Sequence, residues 1–515
     1  MSIQRKIKTT WVIGVLLAIT FACTTKTTAP PSPNIIVFLV DDMGWQDTSV
    51  PFWTEKTPFN KLYRTPNMEL LASHGMIFTQ AYATAVCSPS RTSIMTGMNA
   101  ARHRVTNWTL RYNTSTDQED EVLEFPEWNV NGLQPIDTIP QSLYATTLPQ
   151  ILKDNGYFTI HAGKAHWGTE STPGSDPINL GFKVNIAGHH AGAPASFQGE
   201  NNYSASDGPS IWDVPGLEKY HGKPVNLTEA LTLEALDALG RARSANQPFY
   251  LYLSHYTVHV PLEPHHPYYQ KYEEMGLDSR EARYASMIEG MDQSLGDLMD
   301  YLVENNLMEN TIILFMSDNG GLSALGRGGE PHTHNWPLNS GKGSAYEGGI
   351  RVPMIVSWPG KIQAGSKSEE ILVIEDFFPT ILEMAGIKEY QTVQEIDGIS
   401  FVPALTGQIT TDPDRNLIWH FPNKWGANGP GIGSTSSIRK GDWKLVYWHK
   451  TQSMELFNLQ EDLMEKTNLA NQRPEKLKEL AKELGNYLRT VKAQMPSFRD
   501  SEKQVPWPDE VLNTL

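Results

Sequence analysis

The chain has 515 residues, with 42 lysines and arginines against 58 aspartates and glutamates, and a formal charge of -16. That acidic balance excludes nucleic-acid binding through bulk charge, and 39% apolar residues exclude a disordered or fibrous chain. Two cysteines, Cys23 and Cys87, exclude a disulfide framework and any cysteine-built zinc or iron–sulfur centre.

Arg5, Lys6 and Lys8 precede the apolar run Trp11–Ala22, which is shorter than the ~20 residues of a membrane-spanning helix and has the charge layout of a signal peptide. Residues 1–22 are therefore expected to direct export. Cys23 follows directly and opens a Thr- and Pro-rich stretch to residue 33, an arrangement that resembles a bacterial lipoprotein signal with a lipidated cysteine and a tether. Thr20 and Phe21 depart from that pattern, so a plain cleaved signal is the alternative. The expected location is the periplasm or the outer membrane of a Gram-negative cell, with membrane contact only through the lipid.

Asn34–Val40 (NIIVFLV) reads as a strand buried on both faces and runs into Asp41-Asp42. Leu148–Asn155 reads as a helix stopped by Gly156, and Tyr157–Ala162 as a strand that ends at Gly163-Lys164. Thr228–Leu239 has helical spacing, and the strand Pro248–Leu253 after it leads to His255 and His259. A long helix over Arg283–Asn305 precedes the strand Thr311–Met316, which ends in Ser317-Asp318-Asn319-Gly320. Such alternation predicts a doubly wound α/β sheet, in which ligands sit beyond the carboxyl ends of the strands, so the polar residues at four strand ends are expected to converge. Beyond Gly407, short strand-like runs and an amphipathic helix over Pro474–Val491 predict a smaller α+β domain, residues 411–515, behind a main domain of residues 34–410.

In Cys87-Ser88-Pro89-Ser90-Arg91, Pro89 suits the first turn of a helix, which puts Cys87 at an anion-favouring helix N-terminus. On its own this reads as a low-pKa thiolate aided by Arg91. The motif, its Thr92-Ser93-Ile94-Met95-Thr96-Gly97 flank, Gly163-Lys164-Ala165-His166-Trp167-Gly168, Ser317-Asp318-Asn319-Gly320, Lys342 with Glu347-Gly348-Gly349-Ile350-Arg351-Val352-Pro353, and Asp397-Gly398-Ile399-Ser400 closely resemble the formylglycine-dependent sulfatases. The resemblance spans residues 34 to about 470 and implies an alkaline-phosphatase-like fold with a mixed sheet.

It further implies that a separate maturation enzyme oxidises Cys87 to formylglycine, whose hydrated aldehyde attacks sulfur. Asp41, Asp42, Asp318 and Asn319 are oxygen donors suited to a hard divalent cation. The residues alone leave Ca²⁺ and Mg²⁺ open; the resemblance implies one Ca²⁺, with residue 87 also facing it. It assigns Arg91 to the diol, Lys164 and Lys342 to sulfate, His166 to deprotonation of the diol and His259, in His259-Val260-Pro261, to protonation of the leaving oxygen, in preference to His255. For the substrate, expected to be a sulfated carbohydrate, Asn107, Arg111, His190 and His334 are the candidate contacts, drawn from a loop set that also holds His103, Trp108, His189 and His332. Two rival readings are a phosphate or phosphonate monoester hydrolase of the same fold and a non-catalytic sulfated-glycan-binding lipoprotein.

Overall fold

A computed structural model describes residues 32–324, 326–408, 412 and 414–512. The leader, Cys23 and the tether as far as residue 31 lie outside the described residues, and so do the residues at the expected boundary near 410. Among the described residues, no helix is long and apolar enough to cross a membrane.

Asn34–Val40 (β1) is buried at every position, because parallel neighbours flank both its edges and helices cover both its faces. Its side chains alternate between two cores. Ile36, Phe38 and Val40 join one core with Leu231, Leu239, Ile288, Met291 and Leu295 of the helices Leu227–Ser244 and Ser279–Glu304. Ile35, Val37 and Leu39 join the other with Ile94, Leu148, Ile151 and Phe377 of the helices Cys87–Thr96, Leu148–Asp154 and Phe377–Met384. The remaining strands of this sheet are Met76–Tyr82 (β2), Phe158–Gly163 (β3), Val184–Ile186 (β4), Phe249–Ser254 (β5), Thr311–Ser317 (β6), Arg351–Ser357 (β7) and Ser366–Val373 (β8), in the spatial order β8-β2-β7-β6-β1-β5-β3-β4.

Only β7 runs against its neighbours, pairing antiparallel with both β2 and β6. Seven parallel strands deliver their carboxyl ends to one edge, and β7 delivers its amino end there, with Arg351 opposite Tyr82. The segment before β7, which contains Lys342, therefore arrives at the same edge as Asp41, Lys164, His255 and Asp318. The strands anticipated from β-branched runs are present within a residue or two, and so is the doubly wound arrangement. The long helix begins at Ser279 rather than Arg283, since Asp278 caps it by accepting from the backbone N–H of Arg280. β2, β4, β7 and β8 escaped the sequence reading: β4 has only three residues, β7 follows a glycine-rich turn, and β8 alternates exposed and half-buried side chains at the sheet edge.

The C-terminal region forms a four-stranded antiparallel meander of Asn416–Phe421 (β9), Thr435–Lys440 (β10), Trp443–Trp448 (β11) and Met454–Asn458 (β12). Leu480, Leu484 and Leu488 of the helix Pro474–Thr490 pack on it beside Ile438, Leu445 and Leu456. Residues 33–515 nevertheless form one compact unit. Buried polar contacts join the two sheets: Lys444 Nζ lies 3.0 Å from Glu347 and 2.8 Å from Glu465, and Glu465 accepts the Glu347 backbone N–H at 2.6 Å.

A third buried carboxyl lies between the two sheets, where Asn99 also donates to the Ile418 carbonyl. Glu375 accepts from Asn99 Nδ2 at 2.8 Å, and burial, reinforced by Asp376, pushes its pKa up to about 8. A carboxyl raised in the folded state contributes fully below its unfolded value, and that contribution is lost as pH rises through the folded value. Thermal stability is therefore expected to decline between about pH 4.3 and 8 on this account. Glu375→Gln should flatten the decline by on the order of 2–4 °C, measured by calorimetry across that range.

Candidate active site

Cys87 opens the helix Cys87–Thr96, whose N-cap, Val86, makes no side-chain capping bond. The first-turn N–H groups are thus available to an anion. The thiol is buried, and burial pushes its pKa up in spite of the nearby Lys164 and Lys342. The expected low-pKa thiolate is therefore not what the fold builds: desolvation outweighs the helix terminus and the lysines.

Around Cys87 stand the strand-end residues. Asp41, Asp42 and Asp318 are fully buried, and so is Arg91, which extends its side chain from the same helix as Cys87. Arg91 Nε donates to Asp318 Oδ2 at 2.9 Å and one Nη donates to the Lys164 carbonyl and to Ser254 Oγ. Lys164 Nζ lies 2.6 Å from Asp41, and Lys342 Nζ lies 2.7 Å from Asp42. Asn319 Nδ2 donates to Asp42 at 2.8 Å. Three carboxylates thus face three cations in a dry interior, an arrangement that holds only while each charge keeps its partner.

Lys342 leads the groups that hold Asp42 at about 2 against the opposing effect of burial. Burial pushes Asp41 up, and the proximity of Asp318 and Asp42 adds to it despite the lysine alongside. Asp41 Oδ1 and the side-chain oxygen of Asn319 have no hydrogen-bond partner. The ligand atoms of Asp41, Cys87 and Asp318 lie within 4.8 Å of one another, and those of Asp42, Cys87 and His259 do likewise. Orphaned oxygens and crowded carboxylates fit a hard divalent cation, held by Asp41, Asp42, Asp318 and Asn319.

Two histidines flank this cluster. Nε2 of His166 lies 2.7 Å from the Thr109 carbonyl, so it carries the proton and leaves the buried Nδ1 as a free acceptor. Burial, then Lys164 and Arg91, keep this ring neutral. Gly192 lies against it; a Cβ there would come within 2.3 Å of Cε1. In His259, Nδ1 donates to the Val260 carbonyl at 2.8 Å, and Nε2 lies 3.6 Å from Asp42. Burial, with Lys342, pushes its pKa down to about 3.

Cys87, His166, His259 and Lys342 line a cavity of about 260 Å³ together with Trp108, Trp212 and Trp425. None of the four candidate substrate contacts reaches it. Asn107 is buried and donates to Asp117, and His334 is fixed between Ser323 and the Gly328 carbonyl. Arg111 and His190 border a separate cleft, where Arg111 pairs with Glu170 at 3.5 Å. His255 is buried beside Ser294 and Phe38, and His103 beside Ser93. His189 bonds to Tyr256, and the His332 ring packs on Gly429. Trp212 and Trp425 were missed because each sits in irregular chain without a periodic pattern, Trp425 in the C-terminal region that reads as a separate domain. No sequence signal marked either one.

The family profile described as Sulfatase matches residues 33–387, and one described as N-sulphoglucosamine sulphohydrolase, C-terminal, matches residues 339–494. A protein named Sulfatase from Formosa agariphila is 30% identical, with 94% of each chain covered. The N-acetylgalactosamine-6-sulfatase of Canis lupus familiaris is 31% identical over 83% of this chain and 74% of its own. Among solved structures, Ps i-CgsB in complex with k-i-k-neocarrahexaose superposes with a TM-score of 0.67 at 28% identity, covering 89% of this chain and 93% of that one.

The burial of Cys87 has a direct chemical consequence. In unconverted protein, Cys87 is expected to react with iodoacetamide at pH 7 at least about tenfold more slowly than in the unfolded chain, as followed by peptide mass spectrometry. Equal rates would contradict the buried thiol.

Proposed function

Because the chain belongs to the sulfatase family, we propose that it hydrolyses sulfate esters of carbohydrates, using formylglycine at position 87 and one Ca²⁺. The observation that carries this reading is the meeting of Cys87, three carboxylates, two lysines and His259 at the floor of one aromatic-walled cavity. Similarity to N-acetylgalactosamine-6-sulfatases and to a structure bound to neocarrahexaose supports a sulfated sugar as substrate.

Once formed, the hydrated aldehyde of residue 87 supplies a nucleophile whose second hydroxyl lets the aldehyde be regenerated. When bound, a divalent cation held by Asp41, Asp42, Asp318 and Asn319 polarises the sulfate and offsets its charge. The protein's own residues do the rest. Lys164 and Lys342 bring positive charge to the sulfate oxygens, and their low-dielectric surroundings strengthen it. Arg91, clamped by Asp318, the Lys164 carbonyl and Ser254, orients the side chain of residue 87 from one helical turn away. His166 keeps its proton on the Thr109 carbonyl, which frees Nδ1 to take a proton from the diol. His259 keeps Nδ1–H on Val260 and, neutral at rest, turns Nε2 toward the floor, where it takes up a proton before passing it to the leaving oxygen. The nearby Asp42 and an incoming anionic ester both favour that protonated form.

The maturation enzyme enters as the source of the aldehyde, and residues 1–22 with Cys23 support an exported, lipid-anchored form. Sulfate release from a panel of sulfated mono- and disaccharides, beside aryl sulfate and aryl phosphate, tests the reading; phosphate turnover exceeding sulfate turnover would overturn it. Peptide mass spectrometry of protein made with the maturation enzyme is expected to find residue 87 as the aldehyde. His259→Ala should lower kcat by on the order of 10²–10⁴-fold at unchanged thermal stability. Ca²⁺ should raise the melting temperature of the wild type by several degrees. Asp41→Asn should abolish that shift and also lower the melting temperature of the metal-free protein, because it leaves the buried Lys164 without its carboxylate partner.

A further inference from the structure

We propose that the leaving-group side of the cavity is a tryptophan-walled pocket selective for a sugar ring that carries one sulfate and no other charge. This rests on the sulfatase reading and deepens it. Trp108 and Trp212 stand with ring centroids 6.4 Å apart and planes inclined at 37°. Trp425 lies beside the sulfate-facing lysine, with Lys342 Nζ 6.0 Å from its ring centroid. Gly343 backs Trp425 so closely that a Cβ there would come within 2.2 Å of the indole, and Gly343 itself has a positive φ of 86°. The ring is therefore held in place from behind, and its exposed side faces the cavity.

The indole and amide groups of this wall are neutral and unspent, while the Thr116 hydroxyl donates to the Trp108 carbonyl. Three buried tryptophans elsewhere donate their indole N–H, Trp128 to Asp117, Trp167 to the Arg91 carbonyl and Trp419 to the Ala83 carbonyl, whereas that of Trp45 has no partner. Among the described residues, the N–H groups of Trp108, Trp212 and Trp425 have no partner, and neither does the side-chain amide of Gln118 at the rim. A hexose presents an apolar C–H face to stack on indole and hydroxyls around its edge to accept from such donors.

Charge is absent from the same wall. Among the described residues that line the cavity, Lys342 is the single permanently charged side chain, and it belongs to the sulfate end. Lys424, the residue before Trp425, is bonded to the Glu119 carbonyl and pairs with Asp120, and Arg111 pairs with Glu170 in another cleft. A second sulfate or a carboxylate on the ring would be desolvated against indole with no partner.

The test uses formylglycine-bearing protein and galactose or N-acetylgalactosamine sulfated singly at each position, set against 4,6-disulfated N-acetylgalactosamine and a uronate-containing sulfated disaccharide. One singly sulfated ring is expected to exceed both multiply charged compounds in kcat/KM by roughly tenfold or more. Trp212→Ala and Trp425→Ala should each raise KM for that sugar by about tenfold, with kcat changed by less than about threefold. Equal or faster release from the multiply charged compounds, or an unchanged KM in both variants, overturns the proposal. Calorimetric binding of the same sugars to Cys87→Ala protein separates this outcome from failure of the reaction class. A preference for the singly sulfated ring supports the pocket even where no sulfate is released, whereas a tie or the reverse preference overturns it.

Discussion

Confinement of like charges in a dry interior is the constraint around which this protein is built. Asp41, Asp42 and Asp318 cannot all stay ionised beyond the reach of water unless cations stand among them, and Arg91, Lys164 and Lys342 occupy those places. With the formal charges balanced three against three, a bound divalent ion would leave the site positive, as a sulfate ester requires within a chain whose overall charge is -16. Position 87 sits inside this field, at a helix terminus that adds unsatisfied N–H groups to it.

The sheet supplies the cluster through its direction. Parallel strands bring Asp41, Lys164 and Asp318 to one edge, and the single reversed strand, Arg351–Ser357, brings the Lys342 segment to the same edge from the other side. The C-terminal meander then fixes that segment. Lys444 reaches across to Glu347, five residues after Lys342, and Glu465 bonds to the Glu347 backbone. The loop between Asn416–Phe421 and Thr435–Lys440 supplies Trp425, which packs on Gly343. The C-terminal region thus completes the cavity as well as covering the main sheet.

The two ends of the cavity differ in physical character. Its floor is densely charged and pairs most of its polar atoms, leaving free an oxygen of Asp41, the side-chain oxygen of Asn319 and Nδ1 of His166. Its walls are indole with unspent neutral donors. The first suits an anion that must be polarised, and the second suits an apolar ring face that must be recognised. His259 lies where the two meet, with one nitrogen fixed on a backbone carbonyl and the other toward the floor.

Sequence by itself determined the chemistry-bearing positions of the floor. Asp41, Asp42, Asp318 and Asn319 follow continuous apolar runs that read as buried strands, Lys164 follows a mixed strand after a helix stop, and Cys87, Pro89 and Arg91 share a local helix start. These patterns are local, so they survive reading in one dimension. The strand Arg351–Ser357 and the walls of the cavity were decided by tertiary structure. Trp108, Trp212 and Trp425 come from three irregular segments brought together by packing, and nothing about a tryptophan in a loop says which cavity it will face. Conversely, Asn107 and His334 look free in the sequence but are consumed by internal hydrogen bonds. The thiol of Cys87 follows the same logic: its helix position favours the charged form, but burial, a property of the whole fold, outweighs it.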